Sequence, residues 1–200
     1  NKPLELINNK EMILHVYEAA KKTNTGDVYI ATPDQKIIDV ITNNGGKAIL
    51  TSLDHQTGTD RIYEVFKNQL KSEPSIIVNL QGDMPNIDPK AITNLVLYMD
   101  KGKCDIGTLA STFNSETEIK DKNNVKVVVE EKLEANNFGK ATDFFRASLN
   151  SYKNVYHHIG IYAFTNKALV RYVSLERSKL ELERKLEQLR ALENDMSIHV

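Results

Sequence analysis

Through the first hundred residues of this 200-residue chain, short β-branched runs alternate with segments of helical period, and turn residues separate them. After Asn8-Asn9, the residues Ile13, Val16, Tyr17 and Ala20 recur at helical spacing within Met12 to Lys22. Thr25-Gly26 is expected to end that helix, because glycine accepts the left-handed backbone that follows a C-cap. Val28-Tyr29-Ile30-Ala31-Thr32 reads as a buried strand. Asp34 to Asn43 reads as a helix stopped by Gly45-Gly46, Ala48 to Thr51 as a strand, and Asp60 to Gln69 as a third helix. Ser75 to Leu80 is a third strand, apolar enough to predict a central place in a sheet. Such alternation builds right-handed βαβ units around a mostly parallel sheet covered by helices, an α/β fold. Ligands of such sheets lie at the carboxyl ends of the strands. The loops after Thr51 and after Leu80 are therefore where chemistry is sought.

The second half has a different texture. Val125 to Glu130 is strand-like. His158 to Phe164 alternates, with His158, Gly160, Tyr162 and Phe164 on one face and Ile159, Ile161 and Ala163 on the other. Ser178 to Glu193 reads as one continuous helix. Ser178 with Glu181 fits a capping box, and Leu182, Leu186 and Leu189 form its apolar stripe. On that helix Glu183 and Glu187 are a like-charge i,i+4 pair. Leu175, Leu182 and Leu189 recur at seven, too briefly for a coiled coil.

Composition removes several classes of function. With 26 basic and 27 acidic residues the net charge is -1, so a nucleic-acid-coating or anionic-membrane role is not expected. No apolar run approaches the roughly 20 residues that span a bilayer, and Asn1 to Ile13 lacks the apolar core of a signal peptide. The single Cys104 can make neither an internal disulfide nor a cysteine zinc site, and a small buried hydrophobe is the expected reading. The expected compartment is the cytoplasm. His157, His158 and His199 do not suggest a metal site, because neighbours on a strand point to opposite faces.

Four segments carry candidate chemistry. Gln81-Gly82-Asp83-Met84-Pro85 follows the third strand: Gly82 would allow a sharp turn, Asp83 a magnesium–phosphate contact, and Gln81 a donor and an acceptor. The alternative is an ordinary Gly-Asp turn. Thr57-Gly58-Thr59 opens a helix whose N-terminus favours anions, although Thr59 or Asp60 could simply cap it. Arg61 could meet a phosphate, Asp83 or Glu64. Arg146 beside Phe144-Phe145 could remain on the surface or serve a carboxylate. His158 and Tyr162, with Gly160 between them, could line a ligand or be ordinary half-buried strand residues.

In order along the chain, Lys2-Pro3-Leu4, Ile30-Ala31-Thr32, Asp54-His55-Gln56-Thr57-Gly58-Thr59-Asp60-Arg61 and Val78 to Pro85 are followed by four further segments. These are Asn124 to Val128, Phe145-Arg146-Ala147, His158 to Tyr162, and Leu186-Glu187-Gln188-Leu189-Arg190. Together they resemble the cytidylyltransferases that activate 3-deoxy-D-manno-octulosonate (Kdo), the CMP-Kdo synthetases. The resemblance runs over nearly all 200 residues. It implies a Rossmann-like, three-layer nucleotidyltransferase fold in one domain over 1–200, with a sugar-binding and dimerisation part over roughly 124–195, and a homodimer. It implies that CTP and Kdo give CMP-Kdo and pyrophosphate, with Mg2+, for lipopolysaccharide synthesis. By the same resemblance, Lys2 and Asp83 are catalytic, Lys2 steadying the triphosphate and Asp83 binding the metal. Thr57, Gly58, Thr59 and Arg61 lie where the family binds the nucleotide. Gln81 stands at the substrate junction, and Arg146, His158, Tyr162, Glu187 and Gln188 line the sugar pocket, with Arg146 on the Kdo carboxylate.

The family's phosphate loop, rich in Arg, Ser and Pro, ends in Lys-Pro-Leu, and the family continues beyond the equivalent of Val200 to a second metal-binding aspartate. It also usually has a longer loop near Asn150-Ser151. These 200 residues are therefore expected to be the ordered part of a longer protein. Met84 stands where the family usually has glutamate. Two other readings share the scaffold: a sialic-acid cytidylyltransferase, and a non-catalytic dimeric interaction protein.

Overall fold

The computed structural model of the chain describes residues 2–69, 73–135, 137–147 and 153–200. Two units are distinguished: Asn1–Pro74 with Asn79–Val96, and Ser75–Val78 with Leu97–Val200.

In the first unit a 3-10 turn, Lys2–Leu4, leads into a small antiparallel hairpin, β1 (Leu6–Ile7) and β2 (Lys10–Glu11). Its two-residue loop is Asn8-Asn9, with φ of 51° and 62°. Asparagine tolerates that left-handed backbone, which suits a tight hairpin. Helix α1 (Met12–Lys22) buries Ile13, Leu14, Val16 and Ala19. The left-handed residue after it is Asn24 (φ 54°), not Gly26 as the sequence suggests, again because an asparagine can take the role. Strands β3 (Ile30–Thr32) and β4 (Ala48–Leu50) pair in parallel, Ile30 opposite Ala48 and Thr32 opposite Leu50, with α2 (Gln35–Asn43) as the crossover. Asp34 caps α2 by accepting from the Lys36 amide, and Gly45 (φ 73°) ends it. Helix α3 (Gly58–Gln69) follows the loop after β4. Ile13, Leu14, Ile37 and Ile41 form this unit's core, with Leu4, Tyr17, Ile30, Val40 and Ala48 packed on it.

Strand β5 (Ile76–Asn79) and helix α4 (Pro89–Met99) carry the chain between the units. The second unit holds β6 (Ile106–Ser111), α5 (Glu116–Lys120), β7 (Lys126–Val129), β8 (Ala141–Phe145) and β9 (Val155–Thr165). These are followed by α6 (Asn166–Ser174), α7 (Lys179–Arg184), α8 (Gln188–Leu192) and β10 (Ile198–His199). The sheet order is β10-β6-β9-β7-β8, with β5 also on β9. β10 and β6 pair in parallel, whereas β6–β9, β7–β8 and β7–β9 are antiparallel. The parallel βαβ reading thus holds for the first unit, and the second adds a mixed sheet. Phe144, Ile161, Leu169, Leu189 and Ile198 are sealed in its core. Cys104 is a buried hydrophobe, and burial pushes its thiol up to about 11.

The segment from Ser178 to Glu193 departs from the expected continuous helix. The Ser178–Glu181 capping box is present, but Lys185 turns left-handed (φ 55°, ψ 47°) and splits the segment into α7 and α8. Leu186 and Leu189 are buried, while Leu182 is 53% exposed and belongs to no apolar stripe. The break swings Leu186 and Leu189 inward, which a straight helix sharing one face with Leu182 would not do. It also removes the like-charge pair, since Glu183 lies in α7 and Glu187 at the start of α8. Among the described residues no helix is long and apolar enough to cross a membrane.

Candidate active site

The anticipated residues fall into two clusters, one in each unit. In the first, the chain leaves β5 at Asn79 and turns through Gln81-Gly82-Asp83. Asp83 Oδ2 lies 2.7 Å from Lys2 Nζ. The two residues are 81 positions apart, and both side chains remain about half exposed or more (67% for Lys2, 47% for Asp83). No left-handed φ is found at Gly82; instead, a Cβ there would come 3.0 Å from Ile13 Cδ1, so the glycine serves close packing under the turn. The Gln81 amide nitrogen sits 3.2 Å from where a Gly58 Cβ would stand, so the glycine lets the α3 N-terminus approach Gln81.

Helix α3 is capped by Thr57, rather than by Thr59 or Asp60. Thr57 Oγ1 accepts from the Asp60 amide at 3.2 Å and donates to the Asp60 carboxylate at 2.8 Å. Thr59 is buried and accepts from the Asn79 amide at 3.3 Å, tying the helix start to the end of β5. Arg61 meets neither Asp83 nor a carboxylate of Glu64 in an ion pair. Its Nη1 donates to Thr51 Oγ1 at 2.6 Å and to the Ser52 carbonyl at 2.8 Å, bracing the loop after β4. Glu64 accepts from the Ser52 amide and pairs with His55. The His55 contact is the main reason its carboxyl is held below the usual range.

A single exposed carboxylate beside a lysine is a donor set of limited kind. Among the described residues no group of three or more His, Cys, Asp or Glu could hold a metal ion. Asp83 Oδ1 has no hydrogen-bond partner among the described residues. That arrangement fits magnesium, which takes one or two carboxylates and completes its shell with water and substrate phosphates. It does not fit a cation caged wholly by protein.

The second cluster is built on β9, with β8 and α8 beside it. His158 is buried, edge-on to Phe144 at 5.0 Å and 5.5 Å from the Tyr162 ring. Its Nε2 lies 2.9 Å from Thr108 Oγ1. Burial, with His157 adding to it, pushes its imidazolium pKa down to about 3, so the ring is neutral at ordinary pH. The Tyr162 hydroxyl donates to Gln188 Oε1 at 3.1 Å. Burial raises the Tyr162 pKa well above its ordinary value. Glu187 pushes it the same way and Arg146 opposes, so both charges act on this phenol. Arg146, one residue past β8, is exposed, and its Nη1 donates to the Asn123 carbonyl at 2.7 Å.

Residue patterning did not identify the supports of this cluster. Lys126 is fully buried, its ammonium donating to the carbonyls of Asp121 (2.5 Å), Asn124 (3.0 Å) and Arg146 (3.3 Å). Glu181 is buried and takes two bonds from Arg190, at 2.7 and 2.8 Å, and one from Arg177 at 3.0 Å. Arg190 in turn lies over the Tyr172 ring at 4.6 Å, and the Tyr172 hydroxyl donates to the Glu187 carbonyl. The available signal was Arg190 in the Leu-Glu-Gln-Leu-Arg run. On a straight helix, however, nine residues separate it from Glu181 by roughly 13 Å of rise.

A sequence model of the family described as cytidylyltransferase matches residues 1–198. The chain belongs to the cytidylyltransferase family. Relatives of this cytidylyltransferase include the 8-amino-3,8-dideoxy-manno-octulosonate cytidylyltransferase of Shewanella halifaxensis, 41% identical over all of this chain and 82% of the relative. The 3-deoxy-manno-octulosonate cytidylyltransferase of Brucella ovis is 43% identical, again over all of this chain and 80% of the relative. Among solved structures, CMP:2-keto-3-deoxy-manno-octonic acid synthetase complexed with CTP superposes with a TM-score of 0.86. It is 36% identical and covers 98% of this chain and 80% of that one. Apo UDP-glucose pyrophosphorylase reaches a TM-score of 0.66 at 12% identity, covering 99% and 81%, and shows the fold alone. The cytidylyltransferase therefore has the α/β nucleotidyltransferase fold expected from its sequence.

Proposed function

We propose that this chain transfers a cytidylyl group from CTP to Kdo, giving CMP-Kdo and pyrophosphate. The carrying observation is whole-chain identity above two-fifths to relatives named for that transfer. The anomeric hydroxyl of the sugar attacks the α-phosphorus of CTP. A phosphorus–oxygen bond forms to the sugar, the bond to the β-phosphate bridging oxygen breaks, and the sugar hydroxyl proton leaves. Negative charge grows on the phosphate oxygens, so positioning and fixed positive charge supply most of the acceleration.

In this reading Lys2 balances triphosphate charge, and Asp83 holds magnesium against the phosphates. Bound there, magnesium supplies Lewis-acid stabilisation of the phosphoryl oxygens and the leaving pyrophosphate. The start of α3, Thr57 to Arg61, faces the nucleotide, with the Arg61 bracing setting the shape of its loop. Gln81 stands at the substrate junction. Arg146 takes the sugar carboxylate, for which its planar fork is suited. His158, Tyr162, Glu187 and Gln188 address the hydroxyls. The working protein is a cytoplasmic homodimer supplying lipopolysaccharide synthesis. The Shewanella relative adds the 8-amino sugar as a second acceptor worth assaying.

The test is pyrophosphate release with CTP and magnesium, offering Kdo, its 8-amino analogue and N-acetylneuraminate in turn. Release with Kdo is expected, and none with N-acetylneuraminate. A folded protein silent with both octulosonates would overturn the reading and favour a scaffold without chemistry.

A further inference from the structure

We propose that Thr108 is a positioning residue that fixes the tautomer of His158, so that Nδ1 presents a lone pair to a hydroxyl of the acid sugar. The sugar half of this statement rests on the functional reading above; the tautomer half does not.

Thr108 is fully buried on β6, at the point where the register with β9 shifts. Thr108 pairs with Tyr162 and the next residue, Leu109, with Ile159, so β9 carries Gly160 and Ile161 as extra residues. The shift brings two β9 carbonyls to one hydroxyl: Thr108 Oγ1 lies 2.6 Å from Ile161 O and 3.2 Å from Ile159 O. A carbonyl only accepts, whereas Nε2 can accept or donate according to its tautomer, so the shortest contact, 2.6 Å to Ile161 O, takes the hydroxyl proton. What remains toward His158 Nε2, 2.9 Å away, is an oxygen lone pair. Two lone pairs do not bond, so Nε2 carries the ring proton and donates.

The ring is neutral, because its burial pushes the imidazolium down to about 3. A neutral imidazole has one N–H, so Nδ1 is an acceptor only. Among the described residues no protein donor is bonded to Nδ1. The neighbouring Tyr162 hydroxyl spends its proton on Gln188. The ring therefore asks its ligand for a donor, which a sugar hydroxyl provides and a carboxylate does not. Division of labour follows: Arg146 donates to the carboxylate while His158 accepts from a hydroxyl. A valine would fill the position of Thr108 with the same shape but leave the tautomer undetermined.

The test begins with the unmodified protein labelled with 15N-histidine and read by long-range 1H–15N correlation, with His158→Gln to assign the signals. The expected result is a protonated Nε2 and an unprotonated Nδ1 from pH 5 to 8. A protonated Nδ1, or fast exchange between tautomers, would overturn the proposal without reference to any substrate. Thr108→Val should then lose the single tautomer and raise KM for Kdo about tenfold, the effect of one hydrogen bond, with KM for CTP changing less than twofold. Thr108→Ser should restore both readouts. A lost tautomer with unchanged KM for Kdo would remove His158 from the sugar contacts, and equal changes in both constants would reduce Thr108 to a packing role. Should the valine variant not fold, the spectrum of the unmodified protein still decides the tautomer.

Discussion

Asp83 and Lys2 hold each other in the open, and an exposed ion pair contributes only about 0–1 kcal/mol to stability. Asp83→Asn should therefore leave the melting temperature nearly unchanged while turnover with magnesium falls by at least about 100-fold. Near-normal turnover in that variant would remove Asp83 from the metal. Arg146 is exposed, and among the described residues its side chain is held by one bond, to the Asn123 carbonyl. Arg146→Ala should raise KM for Kdo by about 10²-fold, a charge-assisted bond lost, with CTP little affected; equal changes in both constants would take it out of the sugar site. At this scale the sequence was informative about residues with chemistry of their own. Asp83 and His158 stand out as candidates by type and place on strand ends and faces, whereas Gln188 is singled out only through the resemblance. Thr108 and Lys126 do not stand out, because their parts depend on what stands across the sheet: two β9 carbonyls for one, three loop and strand carbonyls for the other.

Between Ser178 and Glu193 the capping box was legible because it is local, a serine and a glutamate three apart. The break at Lys185 was not, since lysine carries no left-handed signature and the helical period continues through it. Likewise β8 and β10 passed unread: one has its alternation interrupted by Thr142-Asp143, and the other is two residues long. What stabilises the broken segment is the Glu181–Arg190 pair. Burial by itself would raise the Glu181 carboxyl, and the bonds from Arg190 and Arg177 overcome it, leaving the pKa below its ordinary value. Removing one partner strands a buried charge, so Arg190→Met or Glu181→Gln should each cost about 3–5 kcal/mol in urea unfolding. The double substitution should cost less than the sum of the two. Single-variant losses under about 1 kcal/mol would show the pair to be dispensable.

For the molecule as a whole, the buried histidine sets the response to acid. Folded His158 takes a proton only near pH 3, whereas the unfolded side chain does so near 6.5. Between those values the unfolded state holds more protons, so stability falls as pH falls through that window, with a slope of up to about 1.4 kcal/mol per pH unit. His199, lowered chiefly by burial, acts in the same direction. Glu181, depressed in the folded state, adds its loss only below 4.5. Urea midpoints should drop steadily from pH 7 to 5; a flat profile would mean that His158 is protonated in the folded protein. The fold class was legible because strand and helix alternate through the first hundred residues, while the mixed sheet was not, since β8 is too irregular and β10 too short to show a period. Helix α8, five residues long, is too short to persist by itself, and its buried Arg190 reaches back to Glu181 and Tyr172. Glu187 and Gln188 thus sit inside a structural cassette running from Arg177 to Arg190. If Glu187 and Gln188 contact the sugar as proposed, exchanging those two positions alone would change the lettering and leave the hinge, whereas transplanting the whole cassette would carry its own anchor with it.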